Sequence, residues 1–352
     1  MTIRDLAKKC NVSVSTVSRV LNNHPDVSAG VREKVLAAVD KYHYIPNASA
    51  RDLVRTQPDS IGLMVRGLGN IFFSELVGPI EAAVEQRGYS LVMNHISSDA
   101  DEILAGAQLV RSKRLQGIIF LGGRFDYTRE QTAVLEVPFV CCTYTNDFGK
   151  LPQAYFSSVS IDDEGEACRA VKKLLALGHE RIGILLSATG DASVSELRFR
   201  GYARALKEAG LPLLPGLIRE TGRFSMEAAY AQTKALMASG EKFTALFVIS
   251  DAMALAAMKA LNEGGIRVPQ DCAVVSIDGI EVSKYTAPTL STFVQPKEEL
   301  GIVSVNLLLD RIAGEKNRHV LLEAAFRQGG SLGEERAALA QHGCVQEGIP
   351  VC

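Results

Sequence analysis

A run of small hydroxyl side chains that ends in an arginine lies near the start of this 352-residue chain. Residues 13–19 read SVSTVSR, so that Ser15, Thr16, Ser18 and Arg19 are interspersed with valines at helical spacing. Hydroxyl groups hydrogen-bond to phosphate oxygens, a helix N-terminus attracts anions, and an arginine can donate two hydrogen bonds to the edge of guanine. The pattern therefore indicates a helix that contacts DNA.

This helix needs neighbouring helices to hold it. Apolar residues recur at i, i+3 and i+4 in three segments, and each segment follows a Ser or Thr that can cap a helix. The caps are Thr2, Ser13 and Ser28, and the apolar positions are Ile3, Leu6 and Ala7, then Val14, Val17, Val20 and Leu21, then Val31, Val35, Leu36 and Val39. The three segments predict a helix-turn-helix unit. A solvated Ser/Thr-rich helix in another small bundle is the alternative.

The charge of the chain is unevenly distributed. Residues 1–57 carry nine Lys and Arg side chains against five Asp and Glu side chains, a net charge of +4. The whole chain has a net charge of −2, so the remainder carries −6. A basic N-terminal segment on an acidic body favours phosphate contacts by that segment alone, with an affinity that depends on salt.

After residue 60, short apolar runs alternate with helical patterns. The predicted strands are 61–65, 89–93, 117–121, 139–142, 159–161, 182–186, 245–248, 273–277 and 291–294. This alternation is typical of doubly wound α/β sheets, and its restart near residue 159 predicts two halves of about a hundred residues each. Ligands bind such sheets beyond the carboxyl ends of the strands, so the loop after each strand is a candidate binding position.

Three motifs in this order resemble the LacI/GalR family of bacterial transcription regulators. They are VSVSTVSRVLN at 12–22, YIPNASARDL at 44–53 and IGLMVRGLGNIFFSEL at 61–76. The resemblance extends from about residue 2 to about residue 327. It implies an all-α helix-turn-helix head with a hinge helix, and an α/β body that is similar to a periplasmic sugar-binding protein, with two doubly wound subdomains around a cleft.

The expected domain boundaries follow from these patterns and from the resemblance. The head is 1–44, the hinge helix and linker are 45–59, and the body is 60–328. Within the body, one subdomain is expected at roughly 60–158 plus 291–328, and the other at 159–290. Residues 329–352 are expected to form a tail of unknown role.

The hinge helix is expected to depend on a partner. Pro46 can start a helix over residues 47–53, but two turns are too short to be stable alone in water. In the family, two such helices pair in the minor groove and insert a leucine into a base step, and Leu53 occupies that position here. An apolar wedge of this kind kinks the duplex.

The resemblance also assigns roles to individual residues of the head and hinge. Val14, Ser15 and Arg19 stand at base-reading positions, and Thr16 and Ser18 stand at phosphate-contact positions. The complete set of expected DNA contacts is Ser13, Val14, Ser15, Thr16, Ser18, Arg19, Asn22, Asn47, Ala50 and Leu53.

Eight residues are expected to contact a small-molecule effector by the same resemblance. They are Phe72, Phe73, Thr143, Asp162, Arg198 of the RxxGY motif, Phe224, Ser250 and Asp278. Thr143 and Ser250 replace an aspartate and an asparagine of many relatives, which weakens a simple hexose specificity. Other roles stay open: core packing for the two phenylalanines, a helix cap for Asp162, a helix-surface position for Arg198 and a turn position for Asp278.

Arg66 and Gly67 depart from the Pro-Asp pair that is common at this point in the family. An arginine at the end of a strand can bind a carboxylate or a phosphate. An anionic effector is therefore one interpretation, and a surface or interdomain role for Arg66 is the other.

Other classes of function find little support. Gly329–Gly333 matches GxSxG, but it follows no predicted strand, as a nucleophile elbow would require. The seven cysteines and six histidines show no spacing typical of a metal site, and the chain has no apolar run long enough to span a membrane. We expect no enzymatic activity, no cofactor, no metal and no membrane association, with reduced thiols and a cytoplasmic location at the nucleoid.

The expected function is that of a sequence-specific DNA-binding regulator, a repressor that binds a palindromic operator as a homodimer. A sugar or sugar derivative in the cleft is the expected effector. A non-sugar or anionic metabolite that acts as a co-repressor is the alternative.

Overall fold

A computed structural model of the protein describes residues 1–21, 24–42, 44, 60–67 and 69–333. The chain divides into two units, Met1–Pro58 and Asp59–Cys352. The predicted hinge helix, together with Asn22 and residues 334–352, lies outside the described residues.

Capped helices form the N-terminal unit. Helix α1 (Ile3–Cys10) begins after Thr2, whose Oγ1 accepts a hydrogen bond from the Asp5 backbone N–H while the Asp5 carboxylate accepts one from the Thr2 N–H. Helix α2 (Val14–Leu21) follows Ser13, whose Oγ accepts from the Thr16 N–H at 3.0 Å. Helix α3 is Ala29–Lys41. The first two predicted caps are confirmed, whereas the Ser28 side chain makes no capping hydrogen bond.

The core of this unit contains most of the predicted apolar positions. Its buried members are Leu6, Ala7, Cys10, Val17, Val20, Val35 and Tyr44. Val14 and Leu36 were expected in it but are 40% and 44% exposed. Val14 is the first residue of α2, so that no earlier turn of that helix lies beneath its side chain. Leu36 follows the buried Val35 and therefore points about 100° away from the core.

The second unit alternates strands and helices. The strands are β1 (Ser60–Arg66), β2 (Ser90–Ile96), β3 (Gly117–Leu121), β4 (Phe139–Cys142), β5 (Ser157–Ile161), β6 (Ile182–Leu186), β7 (Ile218–Glu220), β8 (Ala245–Val248), β9 (Ala273–Asp278), β10 (Ser291–Val294), β11 (His319–Leu322) and β12 (Ala325–Arg327). The helices are α4 (Ile71–Gln86), α5 (Glu102–Lys113), α6 (Arg129–Thr132), α7 (Asp163–Ala176), α8 (Val194–Glu208), α9 (Met226–Ala238), α10 (Asp251–Glu263) and α11 (Lys297–Ile312).

The strands form two six-stranded sheets, in the orders β11-β5-β4-β3-β1-β2 and β12-β10-β9-β8-β6-β7. All pairings are parallel except that of β12, which runs antiparallel to β10. Successive residues of β3 pack into different cores, with Ile119 in one and Phe120 in the other. Both faces of this sheet are therefore covered, and the predicted doubly wound α/β architecture is confirmed.

The expected division into subdomains was wrong at three places. Strand β5 pairs with β4 and so belongs to the first sheet, whereas β10 pairs with β9 and so belongs to the second. Helix α11 returns to pack on the first sheet, as expected. The third difference is β12, because the chain crosses once more after β11 and β12 joins the second sheet. Apolar runs of four or five residues show that a strand is buried but carry no information about its partner strand. We define the first and second subdomains by these two sheets.

The residues expected to begin the tail belong to the second subdomain. Ser331 Oγ donates to the Val274 carbonyl at 2.7 Å and accepts from the Ser291 N–H at 2.9 Å, and Leu332 is buried in the core. The serine of the GxSxG match is thus fully buried and bonded to backbone groups. It serves to attach the chain to the edge of β9 and β10.

In the described ranges, no helix combines the length and the apolar character that crossing a bilayer requires.

Gly201 gives a test of the contact between α7 and α8. A Cβ atom at this position would lie 2.2 Å from the Glu164 carbonyl oxygen and 2.9 Å from the Cys168 nitrogen, which are backbone atoms of α7. We expect Gly201→Ala to lower the free energy of unfolding by about 1–3 kcal/mol, measured by urea denaturation of the full chain. Lys207→Ala on the same helix is the exposed control and should stay within about 0.5 kcal/mol. Equal stability of both variants would contradict the proposed close packing.

Candidate functional site

The hydroxyl-rich helix presents its polar residues to solvent. Val14, Ser15 and Arg19 are exposed, while Thr16 and Ser18 are half-buried. Ser13 Oγ lies 2.7 Å from Ser15 Oγ and 2.8 Å from Thr16 Oγ1, so that the hydroxyls form a connected group at the start of α2. Of the other predicted DNA contacts, Asn22, Asn47, Ala50 and Leu53 lie outside the described residues.

A basic hollow adjoins this hydroxyl group. The cavity measures about 600 Å³ and is lined by Arg4, Ala7, Lys8, Asn11, Val12, Ser13 and Val14. Arg4 and Lys8 come from α1, whereas Ser13 and Val14 begin α2. Cationic side chains beside hydroxyls and a helix N-terminus can bind a phosphate of a nucleic acid backbone.

In the second unit, the carboxyl ends of the two sheets face each other. Among the contacts of the described residues, three connect segments that follow strands of different sheets. The Phe125 N–H, after β3, donates to the Ala192 carbonyl, after β6, at 3.2 Å. The Glu281 N–H, after β9, donates to Glu75 on α4 at 2.8 Å. Arg198 makes the third contact, between residues that follow β5 and end β9.

Arg198 is bound by two carboxylates. Its Nε and Nη2 lie 2.9 Å and 2.8 Å from Asp163 Oδ1, and its Nη1 lies 3.4 Å from Asp278 Oδ1 and donates to the Ile249 carbonyl. Gln295 Nε2 donates to the same Asp278 oxygen at 3.0 Å. The Arg198 side chain is only 4% exposed, and most of its N–H groups are used within the protein.

Each of the two aspartates keeps one oxygen without a partner. In the described part of the chain, nothing donates a hydrogen bond to Oδ2 of Asp163 or to Oδ2 of Asp278. Both side chains are buried, so these oxygens are acceptors held in fixed positions by Arg198. The arrangement can accept hydrogen bonds from a ligand that carries hydroxyl groups.

Burial determines the protonation of this cluster. Removal from water raises the pKa of Asp163 to about 6, although the nearby Arg198 charge acts in the opposite direction. Burial also raises the pKa of Asp278, with Arg198 again opposing and Asp251 adding to the increase. Two carboxylates share one guanidinium, so the cluster has an excess of negative charge when both are ionised.

Asp162 and Asp163 have different roles although they are adjacent. Asp162 caps α7, since its Oδ1 accepts from the Gly165 N–H at 2.9 Å. Its capping role was one of the two interpretations of the sequence. Asp163, which the sequence analysis did not select, is the residue that contacts Arg198. A helix turns by about 100° per residue, so only one of the two side chains can face Arg198.

The three aromatic candidates lie in different environments. Phe72 is 5% exposed and packs in the core of the first subdomain. The Phe73 ring is half-buried and lies against Gly122, where a Cβ atom would be only 2.5 Å from the ring. Phe224 is 42% exposed in the loop before α9. Phe73 thus borders the carboxyl ends of β1 and β3, whereas Phe72 serves as a core residue.

Thr143 and Ser250 both follow strands, as predicted. Thr143 comes after β4, has a φ of 75° and donates its backbone N–H to the Val159 carbonyl at 2.8 Å. Ser250 comes after β8 and caps α10 through a 3.4 Å hydrogen bond from the Met253 N–H. The Ser250 hydroxyl is therefore already used to cap a helix.

Arg66 is paired within the first subdomain. Its guanidinium donates to Glu102 and to the carbonyl oxygens of Ser98 and Ala100. Glu102 is buried and also accepts from the Tyr127 hydroxyl and the Arg124 N–H. Arg66 stabilises this network, which leaves it poorly placed to bind an anion.

The sequence analysis missed Asp163 and Gln295. Gln295 directly follows β10, and Asp163 lies two residues after the end of β5, so the rule about strand ends includes their positions. The rule gives no means to choose between neighbouring residues in the same loop.

Comparison with known proteins supports both units. Residues 2–47 match the family described as bacterial regulatory proteins, lacI family, and residues 171–332 match the periplasmic binding protein-like domain. The chain is 38% identical over 332 residues to the HTH-type transcriptional regulator MalR of Clostridium butyricum, which covers 92% of this chain and 96% of the relative. It is 33% identical over 331 residues to the ribose operon repressor of Haemophilus influenzae, with the same coverage of 92% and 96%.

Solved structures agree with these matches. A lac repressor dimer bound to operator and the anti-inducer ONPF superimposes with a TM-score of 0.78 at 30% identity, covering 95% of this chain and 99% of that chain. A complex of the transcriptional regulator CelR with cellobiose has a TM-score of 0.70 at 27% identity, covering 94% and 99%. The curated relatives are transcriptional regulators, a non-enzymatic class, as predicted. This chain is therefore a DNA-binding transcriptional regulator of the LacI family.

Proposed function

We propose that the protein is a repressor that binds a palindromic operator as a homodimer, and that an uncharged sugar at the junction of the two sheets controls this binding. The observation that carries the effector part is the Arg198 cluster, in which Asp163 and Asp278 each keep one oxygen without a partner. Oxygen acceptors fixed in a buried site suit a ligand with several hydroxyl groups. The protein would act in the cytoplasm, at the nucleoid.

The DNA part of the proposal is supported by the head. Ser15 and Arg19 are exposed on one helix, and the basic hollow with Arg4 and Lys8 lies beside the start of that helix. We propose that Ser13, Thr16 and Ser18 contact phosphates, and that Val14, Ser15 and Arg19 contact bases, with Asn22 and the hinge residues Asn47, Ala50 and Leu53 completing the interface. Two heads in a homodimer would then contact two half-sites of one operator.

The charge of the site favours an uncharged effector over an anionic one. Arg198 on α8 and Arg66 at the end of β1 already bind carboxylates, Arg198 with Asp163 and Asp278, and Arg66 with Glu102. An anion would have to displace these pairs or approach an excess of negative charge. Among the similar proteins are a ribose operon repressor and a regulator solved with cellobiose, and PurR repressors also match. We propose Phe73, Thr143, Asp163 and Asp278 as effector contacts and do not favour the anionic alternative.

The first prediction concerns the recognition of DNA. Selection from random duplexes at fixed salt should enrich a palindrome, and Arg19→Ala should lose preference at one base pair of each half-site. The loss of a bidentate contact is expected to cost about 1–3 kcal/mol, or roughly 5- to 150-fold in affinity. Arg267→Ala, which removes an exposed arginine paired with Asp271 in the second subdomain, should behave as wild type. An unchanged motif for Arg19→Ala would contradict the assignment.

The second prediction concerns the effector. A panel of neutral mono- and disaccharides and one sugar phosphate is screened by thermal shift. The dissociation constants of the ligands found are then measured by calorimetry. We expect a neutral sugar to bind and, at pH 8, above the raised pKa of Asp278, Asp278→Asn to weaken its binding by roughly 10-fold or more, because the hydrogen bond to a charged acceptor is lost. Asp271→Asn is the control, since its carboxylate is exposed and bound to Arg267. Binding of the sugar phosphate alone would support the anionic alternative instead.

The third prediction concerns pH. Because burial raises the pKa of Asp163 from 3.8 to about 6, the folded protein binds this proton more tightly than the unfolded chain does. The contribution of this group to stability is therefore present at low pH and is lost as the pH rises from about 4 to about 6. Between pH 4 and pH 6, the free energy of unfolding should fall less in Asp163→Asn than in wild type, by up to about 3 kcal/mol.

The control for this measurement is Asp271→Asn. Its hydrogen bonds with Arg267 lower the pKa of Asp271 to about 2, so its titration lies below the window. This variant should keep the wild-type slope between pH 4 and pH 6. A wild-type slope in Asp163→Asn would show that Asp163 is not the group that titrates.

A further inference from the structure

A charged contact separate from the Arg198 cluster connects the two subdomains. Glu75 lies on α4 of the first subdomain, and its Oε1 accepts a hydrogen bond from the Glu281 N–H of the second subdomain at 2.8 Å. Its Oε2 lies 3.0 Å from Lys297 Nζ, at the start of α11. Lys297 Nζ also donates to the Gly279 carbonyl. We call the Glu75–Lys297 pair with its two backbone partners the clasp.

The clasp is better shielded than an ordinary surface ion pair. The side chains of Lys297 and Glu75 are 18% and 23% exposed, whereas those of the nearby pair Lys284 and Glu281 are 47% and 57% exposed. Partly buried pairs are screened less by salt and gain more from their attraction than exposed ones. The clasp therefore contributes to the relative position of α4 and the loop after β9.

That loop is the one that carries an effector-facing carboxylate. Asp278 and Gly279 are adjacent, and both have positive φ angles, 129° and 70°. A Cβ atom on Gly279 would lie 2.6 Å from the Val294 Cα, so the loop is also closely packed against β10. A φ of 129° is unfavourable for a residue with a side chain and persists only where surrounding contacts enforce it. A shift of the Asp278 backbone is therefore passed directly to Gly279 and its carbonyl.

The pair has room to change its arrangement. Gly279, Glu281, Gln295 and Lys297 border a cavity of about 590 Å³. On that side the Lys297 side chain is not enclosed by packing, so it can keep or break its hydrogen bond with the Gly279 carbonyl. The other end of the clasp, α4, belongs to the subdomain whose first strand, β1, begins at Ser60, directly after the head and linker.

We propose that the clasp transmits effector occupancy from Asp278 to α4 and thereby to the subdomain that is joined to the DNA-binding head. Glu75 and Lys297 are positioning residues in this scheme and contact neither the effector nor DNA. The inference rests on the proposed function, because it assumes that a sugar binds at Asp278 and changes operator affinity. Coupling of this kind requires an element that both ligands influence, and the clasp is a polar contact that joins the Asp278 loop to α4, beside the apolar packing of Ile280 in the same core as Leu76.

The test separates coupling from binding. Operator dissociation constants are measured for wild type with and without a saturating neutral sugar taken from the effector screen, and their ratio is the coupling factor, typically about 5- to 150-fold in allosteric proteins. We expect Glu75→Gln and Lys297→Met each to reduce this ratio at least about threefold. Sugar affinity should stay within about twofold of wild type, because Asp163, Arg198 and Asp278 are intact.

Three further variants distinguish coupling from general damage. Lys297→Arg keeps the charge and should keep most of the coupling, and Glu208→Gln, which removes the exposed Lys172–Glu208 pair within the second subdomain, should keep all of it. The double variant Glu75→Gln/Lys297→Met should be no worse than either single variant, since all of them break the same contact. Thermal unfolding of each variant identifies any that fail to fold, and Lys297→Arg then serves as the folded comparison.

The outcomes are distinct. A wild-type coupling factor in both Glu75→Gln and Lys297→Met would overturn the proposed role of the clasp while leaving the proposed function intact. Loss of coupling in Glu208→Gln to the same extent would also overturn it, because the effect would then not be specific to this contact. Wild-type protein that binds no operator, or whose operator affinity no sugar changes, would overturn the proposed function itself, and with it the clasp.

Discussion

The charge balance around Arg198 is the constraint on which the effector-binding body depends. A guanidinium that is 4% exposed is costly to bury unless carboxylates compensate it, and Asp163 and Asp278 do so from two different elements. Asp163 follows a strand of the first sheet, and Asp278 ends a strand of the second. The requirement to satisfy one buried cation therefore fixes the start of α7, where the chain leaves the first sheet, beside the carboxyl end of β9 in the second.

This arrangement gives the site a structural role and supports the proposal that it also binds an effector. Oδ1 of each aspartate accepts a hydrogen bond from Arg198, whereas the second oxygen of each aspartate is left as an acceptor. Because the acceptors are fixed by an ion pair and by Gln295, a ligand does not have to order them on binding. The same burial raises the pKa of Asp163, so the site retains its proton to a higher pH than an exposed aspartate would.

The head follows a different principle, since its stability comes from local capping and a small core. Thr2 and Asp5 satisfy each other's backbone groups, Ser13 does the same for Thr16, and Leu6, Val17 and Val35 fill the centre. The core uses Val17, Val20 and in part Leu21 of α2, which leaves Ser15 and Arg19 at the surface. The proposed recognition surface thus lies on the side of the helix that packing does not need.

The sequence by itself determined the local elements: two of the three caps and the strands of the sheets except β7, β11 and β12. It also indicated the loops in which we propose ligand contacts. These features depend on residues that are close in the chain, such as Ser13 and Thr16, or on the periodicity of apolar runs. Only the tertiary structure decided that β5 joins the first sheet and β10 the second, because pairing depends on distant strands. It also decided that Asp163 and not Asp162 meets Arg198, that Arg66 binds Glu102, and that Glu75 meets Lys297. Each of these contacts joins residues more than 30 positions apart, and no local pattern specifies which partner a buried charge will find.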